Sequence, residues 1–298
     1  MNNSVIEGVI AAVPTPFLAD GKPDLERFVE HCRWALANGA DGLNVLGTTG
    51  EANSQNTEAR KQIMKAAADN LDPAKLMVGT ATPDLETTVE LTQYASDLGY
   101  PVALVLPPYY YKPVSDNGLF GWFEDLDRRL GSSRIQLYLY NFPALTGIGF
   151  PIDLIARMAK ELTGRVAGIK DSSADLPYCR DIVKKIPGFK VFPSSETCLG
   201  TARSDGFAGC ISASVNVTAP LAQKLWQASA GTADADILDS LVKLRTQIAS
   251  VPLIAAVKYL ISQREQSPQW EAVRLPQEKL NDAQKKELSE SASTLGYV

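Results

Sequence analysis

One histidine and four cysteines in 298 residues leave this chain short of the side chains that most often carry metal and thiol chemistry. A single imidazole, His31, cannot build a His-rich zinc site, so no metal is expected. Cys32, Cys179, Cys198 and Cys210 have no C-x-x-C spacing and fall inside predicted helices or strands, which reads as reduced packing thiols rather than a disulfide framework. Positive charge is also scarce. Lys and Arg total 29 against 34 Asp and Glu, a net charge of −5 with no basic run, which argues against a nucleic-acid or anionic-membrane surface. No apolar run reaches the roughly 18 residues of a spanning helix. Met1 to Glu7 lacks a basic segment followed by an apolar one, so a cytoplasmic protein is the expectation. There is no Gly-rich dinucleotide fingerprint and no low-complexity linker.

What the chain does have is a regular alternation. Apolar residues make up 45% of it and charged residues 21%, enough for a large core. Short β-rich runs are predicted near 8–14, 42–47, 76–81, 102–107, 135–141, 166–171, 190–194 and 209–214. Amphipathic helical stretches fall between and after them, near 24–37, 57–70, 84–98, 117–130, 152–162, 174–186, 196–204 and 218–229. Such βα units without a nucleotide motif favour a closed (β/α)₈ TIM barrel over an open sheet. Helical spacing resumes at 233–249, 251–264 and 281–295, with Pro252, Pro268 and Pro276 near the breaks. The expected organisation is a barrel over 1–225 and a C-terminal helical extension over 226–298 packed on it as one structural unit. His31 is expected on the flank of the first helix.

Three polar elements share one place in their units, the C-terminal end of a strand. Lys170 closes the apolar run Val166-Ala167-Gly168-Ile169 and precedes Asp171-Ser172-Ser173. Gly47-Thr48-Thr49-Gly50-Glu51 follows one strand and Tyr140-Asn141-Phe142-Pro143 ends another. A lysine so placed is either a strand-end amine reaching solvent or a nucleophile for imine formation, and its two companions favour the second.

With Pro108-Tyr109-Tyr110 added, these four motifs, in order and each at a strand end, resemble the dihydrodipicolinate synthase and N-acetylneuraminate lyase superfamily of pyruvate-dependent class I aldolases. The resemblance runs from about Gly8 to Asn216 and implies a barrel with C-terminal helices, assembled as a homotetramer built from dimers. It implies that Lys170 condenses with the ketone of pyruvate or another 2-oxo acid, the covalent imine standing in place of any cofactor. Burial disfavours an ammonium, and the neutral amine is the nucleophile. Tyr140 then corresponds to the proton-shuttling tyrosine, and Thr48 and Thr49, presented where Gly47 allows close approach, to the carboxylate-binding pair. Tyr110 corresponds to a tyrosine that crosses a dimer interface to join the relay, although it stands in a run with Tyr109 and Tyr111. Ile211 corresponds to a residue lining the pyruvate pocket, and Ser172 is a further candidate beside the lysine.

Departures from the family pattern bear on the second substrate, an aldehyde. Where the synthase carries an arginine that grips the incoming amino-aldehyde, this chain has Leu145, within Ala144-Leu145-Thr146-Gly147. That segment resembles the lyases and, with Phe142 and Thr146, the 2-keto-3-deoxy sugar acid aldolases more closely. After the seventh strand the lyase aromatic and aspartate are missing from Ser194-Ser195-Glu196. Ser195 and Glu196 can hydrogen-bond sugar hydroxyls, or Ser195 can simply cap a helix. The leading expectation is cleavage of a 2-keto-3-deoxy sugar acid to pyruvate and an aldehyde. Dihydrodipicolinate synthesis and dehydration of a 2-keto-3-deoxy acid are alternatives for the same lysine and tyrosine, and a non-catalytic ligand-sensing barrel is the alternative of another class.

Overall fold

A computed structural model describes residues 6–228 and 234–294. The strands are β1 (Gly8–Ala12), β2 (Gly42–Val45), β3 (Leu76–Gly79), β4 (Val102–Val105), β5 (Gln136–Asn141), β6 (Val166–Asp171), β7 (Lys190–Pro193) and β8 (Gly209–Ser212). They form one 8-stranded sheet in the order β7-β6-β5-β4-β3-β2-β1-β8, with parallel neighbours. The Ala208 amide donates to the Val191 carbonyl at 2.9 Å across the remaining seam, bringing the two ends together into a barrel. This is the expected (β/α)₈ architecture. β1 and β4 stop short of the expected ends, where Pro14 and Pro107 have no N–H to continue a ladder.

Alternation along the strands sorts the core into two layers. Val9, Leu43, Val45, Val78, Val105, Leu139, Ile169 and Val191 pack outward against the helices. Ile10, Met77, Leu104, Tyr138, Tyr140, Phe192 and Ile211 fill the barrel itself. The surrounding helices begin where a short polar side chain can accept the N–H two to three residues into the helix, as Asp24, Asn56, Asp84, Ser115 and Asp175 do.

Three expectations are corrected. The stretch 196–204 is not one helix but a 3₁₀ turn, Glu196–Cys198, followed by the short helix Leu199–Ala202. Ser195 tightens that first turn by accepting from the Thr197 amide, and the Glu196 side chain is tied into the core. The eighth helix starts at Val215 rather than 218 and contains Pro220. Arg264 donates to the Asn216 carbonyl at 3.1 Å, satisfying the acceptor that a proline four residues on leaves free. Finally, His31 is not on a helix flank but fully buried, packed edge-on against Trp270. Its Nε2 lies 2.8 Å from Asn216 Oδ1 and its Nδ1 accepts from Arg264 at 3.0 Å, and burial pushes its pKa down.

The helix Val215–Gln227 runs across the expected 225/226 boundary. Beyond it, Ala235–Ala249, Leu253–Arg264 and Asp282–Thr294 enclose a second core around Leu244, Leu260, Trp270 and Leu288. The expected helix ends at 229, 233 and 295 lie outside the described residues. Among the described residues no single helix is long and apolar enough to cross a membrane.

Candidate active site

The register between β5 and β6 decides where the lysine amine goes. Leu137 pairs with Val166 but Tyr138 pairs with Gly168, so Ala167 is an extra residue and the strand slips by one at that point. Beyond the slip Tyr140 pairs with Lys170; without it Tyr140 would face Ile169, whose side chain belongs to the outer layer. Gly168 permits the arrangement because a Cβ there would sit 2.8 Å from the Tyr138 ring. Lys170 and Tyr140 consequently share the barrel interior, each only 4% exposed.

Lys170 Nζ donates to the Tyr140 hydroxyl at 3.3 Å, and that hydroxyl lies 3.1 Å from Thr48 Oγ1. The amine also stands 4.4 Å from the Tyr140 ring centroid. An amine, a phenol and an alcohol thus form a continuous hydrogen-bonded chain along which a proton can move. Beside them, Asp171 is buried and accepts from Asn141 at 2.7 Å and from the Ser173 hydroxyl at 2.8 Å. Burial raises its pKa, and these hydrogen bonds oppose the rise. The bonds fix the ends of β5 and β6 to each other.

The turn carrying Thr48 is tightly constrained. Leu46 and Glu51 both have left-handed backbones, at φ 55° and 53°. Each such non-glycine conformation costs on the order of 1–3 kcal/mol and persists only where its surroundings impose it. Gly79 supplies part of the imposition, since a Cβ there would meet the Leu46 carbonyl oxygen at 2.1 Å. The Thr15 hydroxyl and the Gln55 amide each hold the Gly50 carbonyl at 2.8 Å. Gly47 lies against the Asn44 amide, whose nitrogen would be 2.5 Å from an added Cβ. Thr49 is buried in the same turn.

Other predicted residues spread outward from this centre. Ile211 lies on the inner barrel face with Tyr140 and Phe192. Ser172 is half-buried and its amide donates to the Asn141 carbonyl at 2.8 Å. Leu145, on the short helix Pro143–Thr146, is 64% exposed. Tyr110 is 72% exposed and rests edge-on against Tyr111. Ser195 is taken up by its turn, with Thr197 Oγ1 at 2.9 Å.

Glu196 corrects the expectation of a sugar-reading carboxylate. Its side chain is fully buried, and Ser212, Ser214 and Thr218 donate hydroxyls to it at 2.6, 2.5 and 2.8 Å. Arg245 completes the group by donating to Ser214 Oγ at 2.7 Å. With both oxygens engaged and buried, this carboxylate braces the end of β8.

Two charged residues near the site escaped the sequence reading. A cavity of about 120 Å³ opens beside the turn, lined by Gly47, Thr48, Tyr140, Arg60, Ile254 and Gln277 among others. Arg60 is buried, donates to the Gly79 and Ala81 carbonyls, and among the described residues has no partner for its Nε. Its burial pushes its pKa down to about 10. Lys258 is the other, buried against Glu51. A lone cation in the apolar run Ala255-Ala256-Val257-Lys258-Tyr259-Leu260-Ile261 was the available signal for a buried ion pair.

A family model described as the dihydrodipicolinate synthetase family matches residues 5–295. A 4-hydroxy-tetrahydrodipicolinate synthase from Hydrogenobaculum sp. is 30% identical over 214 residues, covering 72% of each chain. The crystal structure of dihydrodipicolinate synthase from Agrobacterium tumefaciens superposes with a TM-score of 0.89 at 28% identity, covering 97% of this chain and 99% of that one. YagE, a prophage protein of the dihydrodipicolinic acid synthase family from E. coli K12 solved in complex with pyruvate, superposes with a TM-score of 0.90 at 27% identity over 99% and 100% of the two chains.

Proposed function

The chain belongs to the dihydrodipicolinate synthetase family, within the superfamily of pyruvate-dependent aldolases and lyases, and from that premise we propose that it is a lysine-imine aldolase acting on a 2-keto-3-deoxy sugar acid. The observation that carries the reading is the buried chain from Lys170 Nζ through the Tyr140 hydroxyl to Thr48 Oγ1. The free amine of Lys170 adds to the C2 ketone, the Tyr140 phenol gives its proton to the departing carbinolamine oxygen, water leaves, and the resulting iminium becomes an electron sink. The phenolate of Tyr140 left by that transfer takes the proton of the C4 hydroxyl as the C3–C4 bond breaks. An aldehyde departs and an enamine remains. Protonation of the enamine at C3 and hydrolysis of the imine release pyruvate and return the amine. Thr48 and Thr49 bind the substrate carboxylate with hydroxyls and the turn amides, and Ile211 packs against the carbon chain. Tyr110 joins the relay of a neighbouring subunit in a dimer of dimers, a role its exposed ring supports.

Leu145 supports the sugar-acid assignment, since an isobutyl group offers no bidentate contact to a carboxylate at the mouth. Arg60 favours a second reading, dihydrodipicolinate synthesis, because it places a guanidinium in the cavity wall. The synthase names of several relatives point the same way. Pyruvate with borohydride tests imine formation, and a panel of 2-keto-3-deoxy sugar acids set against pyruvate plus aspartate semialdehyde divides the two readings. Absence of a Lys170 adduct overturns both and leaves a ligand-sensing barrel.

A further inference from the structure

The C-terminal helices reach back to the barrel mouth at one buried point. Lys258, from the helix Leu253–Arg264, is paired with Glu51 of the Gly47–Glu51 turn, with side-chain exposures of 0% and 1%. Lys258 also donates to the Ala272 carbonyl at 2.6 Å, and the Arg274 amide donates to the other Glu51 oxygen at 2.6 Å. Both carboxylate oxygens are therefore held from the C-terminal region, by one side chain and one backbone amide. Ile254 and Gln277 of that region line the cavity beside Thr48 and Tyr140.

A buried ion pair is weak evidence for stability, since apolar residues of the same volume commonly serve as well, and its better-attested use is to specify one geometry. Here the geometry needing specification is adjacent. Glu51 has the left-handed backbone that ends the turn, and its amide donates to the Thr48 carbonyl at 3.0 Å. Displacing Glu51 therefore moves Thr48, whose hydroxyl stands 3.1 Å from that of Tyr140. We propose that Lys258 is a positioning residue for 2-oxo acid binding, acting through Glu51 to set the Thr48-Thr49 turn, so that the C-terminal helices complete the site rather than merely cover the barrel. The proposal rests on the carboxylate-binding role given to that turn above.

Lys258→Met alone leaves an unpaired buried carboxylate, so the informative variant is Glu51→Gln with Lys258→Met in the full-length chain, which removes both charges and keeps the shape. Amide hydrogen exchange over residues 47–51 of the ligand-free protein should accelerate about tenfold, as for loss of one charge-assisted contact. The pyruvate concentration giving half-maximal borohydride trapping should rise by about the same factor, with a smaller fall in the trapping rate at saturation because Thr48 also meets the Tyr140 hydroxyl. Should the double variant not fold, Lys258→Arg, which keeps the charge and displaces it, takes its place with the same expected directions. Wild-type exchange in the variant overturns the proposal, as does faster exchange with unchanged half-saturation, or a loss confined to the saturated rate. Faster exchange in a protein whose wild type is never trapped by pyruvate sinks the imine reading and leaves the positioning of the turn standing.

Discussion

Two lysines are buried among the described residues, and their surroundings are opposite in character. Lys258 meets a carboxylate, a backbone carbonyl and, at 4.4 Å, the ring of Phe17, so its amine is fully occupied. Burial nevertheless pushes its pKa down to about 8, with Glu51 opposing the shift. Among the described residues the Lys170 amine is hydrogen-bonded to the hydroxyl of Tyr140, lies over its ring and forms no ion pair. A hydroxyl partner can be exchanged for a substrate without stranding a buried charge, whereas a carboxylate partner cannot. Burial alone therefore does not distinguish the two amines; the identity of each partner does, and it supports Lys170 as the proposed nucleophile.

The comparison is broken most directly by chemistry at the two amines. Lys170→Met should reduce carbon–carbon cleavage to background, and peptide mapping after pyruvate and borohydride should place the adduct on Lys170 and none on Lys258 or the exposed Lys112. An adduct on either of the latter would reverse the assignment. Tyr140→Phe comes next. It preserves ring packing and removes the shared hydroxyl, so cleavage should fall by about 10² to 10⁴ if the phenol is the acid and base. Thr49→Val should instead raise KM for the 2-oxo acid with a smaller effect on kcat, and equal small effects from both variants would show the relay to be misplaced.

Leu145→Arg sharpens the question of the second substrate. A guanidinium there adds a charge-assisted bond of about 1.5–3 kcal/mol, so kcat/KM for aspartate semialdehyde relative to a 2-keto-3-deoxy sugar acid should rise by roughly ten- to a hundredfold. A wild type already efficient with the semialdehyde would hand that role to Arg60. The smallest effect is expected at His31. Its folded pKa lies below the unfolded value, so the folded state binds fewer protons and the stability due to neutral His31 is present above about pH 6.5. That stability should be lost as pH falls from there toward the lowered folded pKa. Urea midpoints measured from pH 7.5 to 5.5 should decline in the wild type and less in His31→Gln, and parallel curves would reject the linkage.

Periodicity made the barrel legible, because parallel strands buried on both faces read as short apolar runs and the helices between them keep a 3.6-residue stripe. Position within each βα unit likewise made Lys170, Tyr140 and Thr48 legible, since strand ends converge at one rim. Glu196 was misread for a physical reason: nothing local distinguishes a carboxylate facing solvent from one whose oxygens are met by Ser212, Ser214 and Thr218 from farther along the chain. His31 is the same case, its partners Asn216 and Arg264 lying 185 and 233 residues away.

The sequence by itself determined the eight βα units, the helical tail and the strand-end placement of Lys170, Tyr140 and Thr48, because these follow from local patterns of apolar and polar residues. Tertiary structure alone decided which carboxylates were spent internally, that Ala167 slips β6 so that Lys170 meets Tyr140, and that Lys258 reaches Glu51 across 207 residues of chain. Those outcomes depend on register and long-range packing, where a shift of one residue turns a side chain from the barrel interior to the helices.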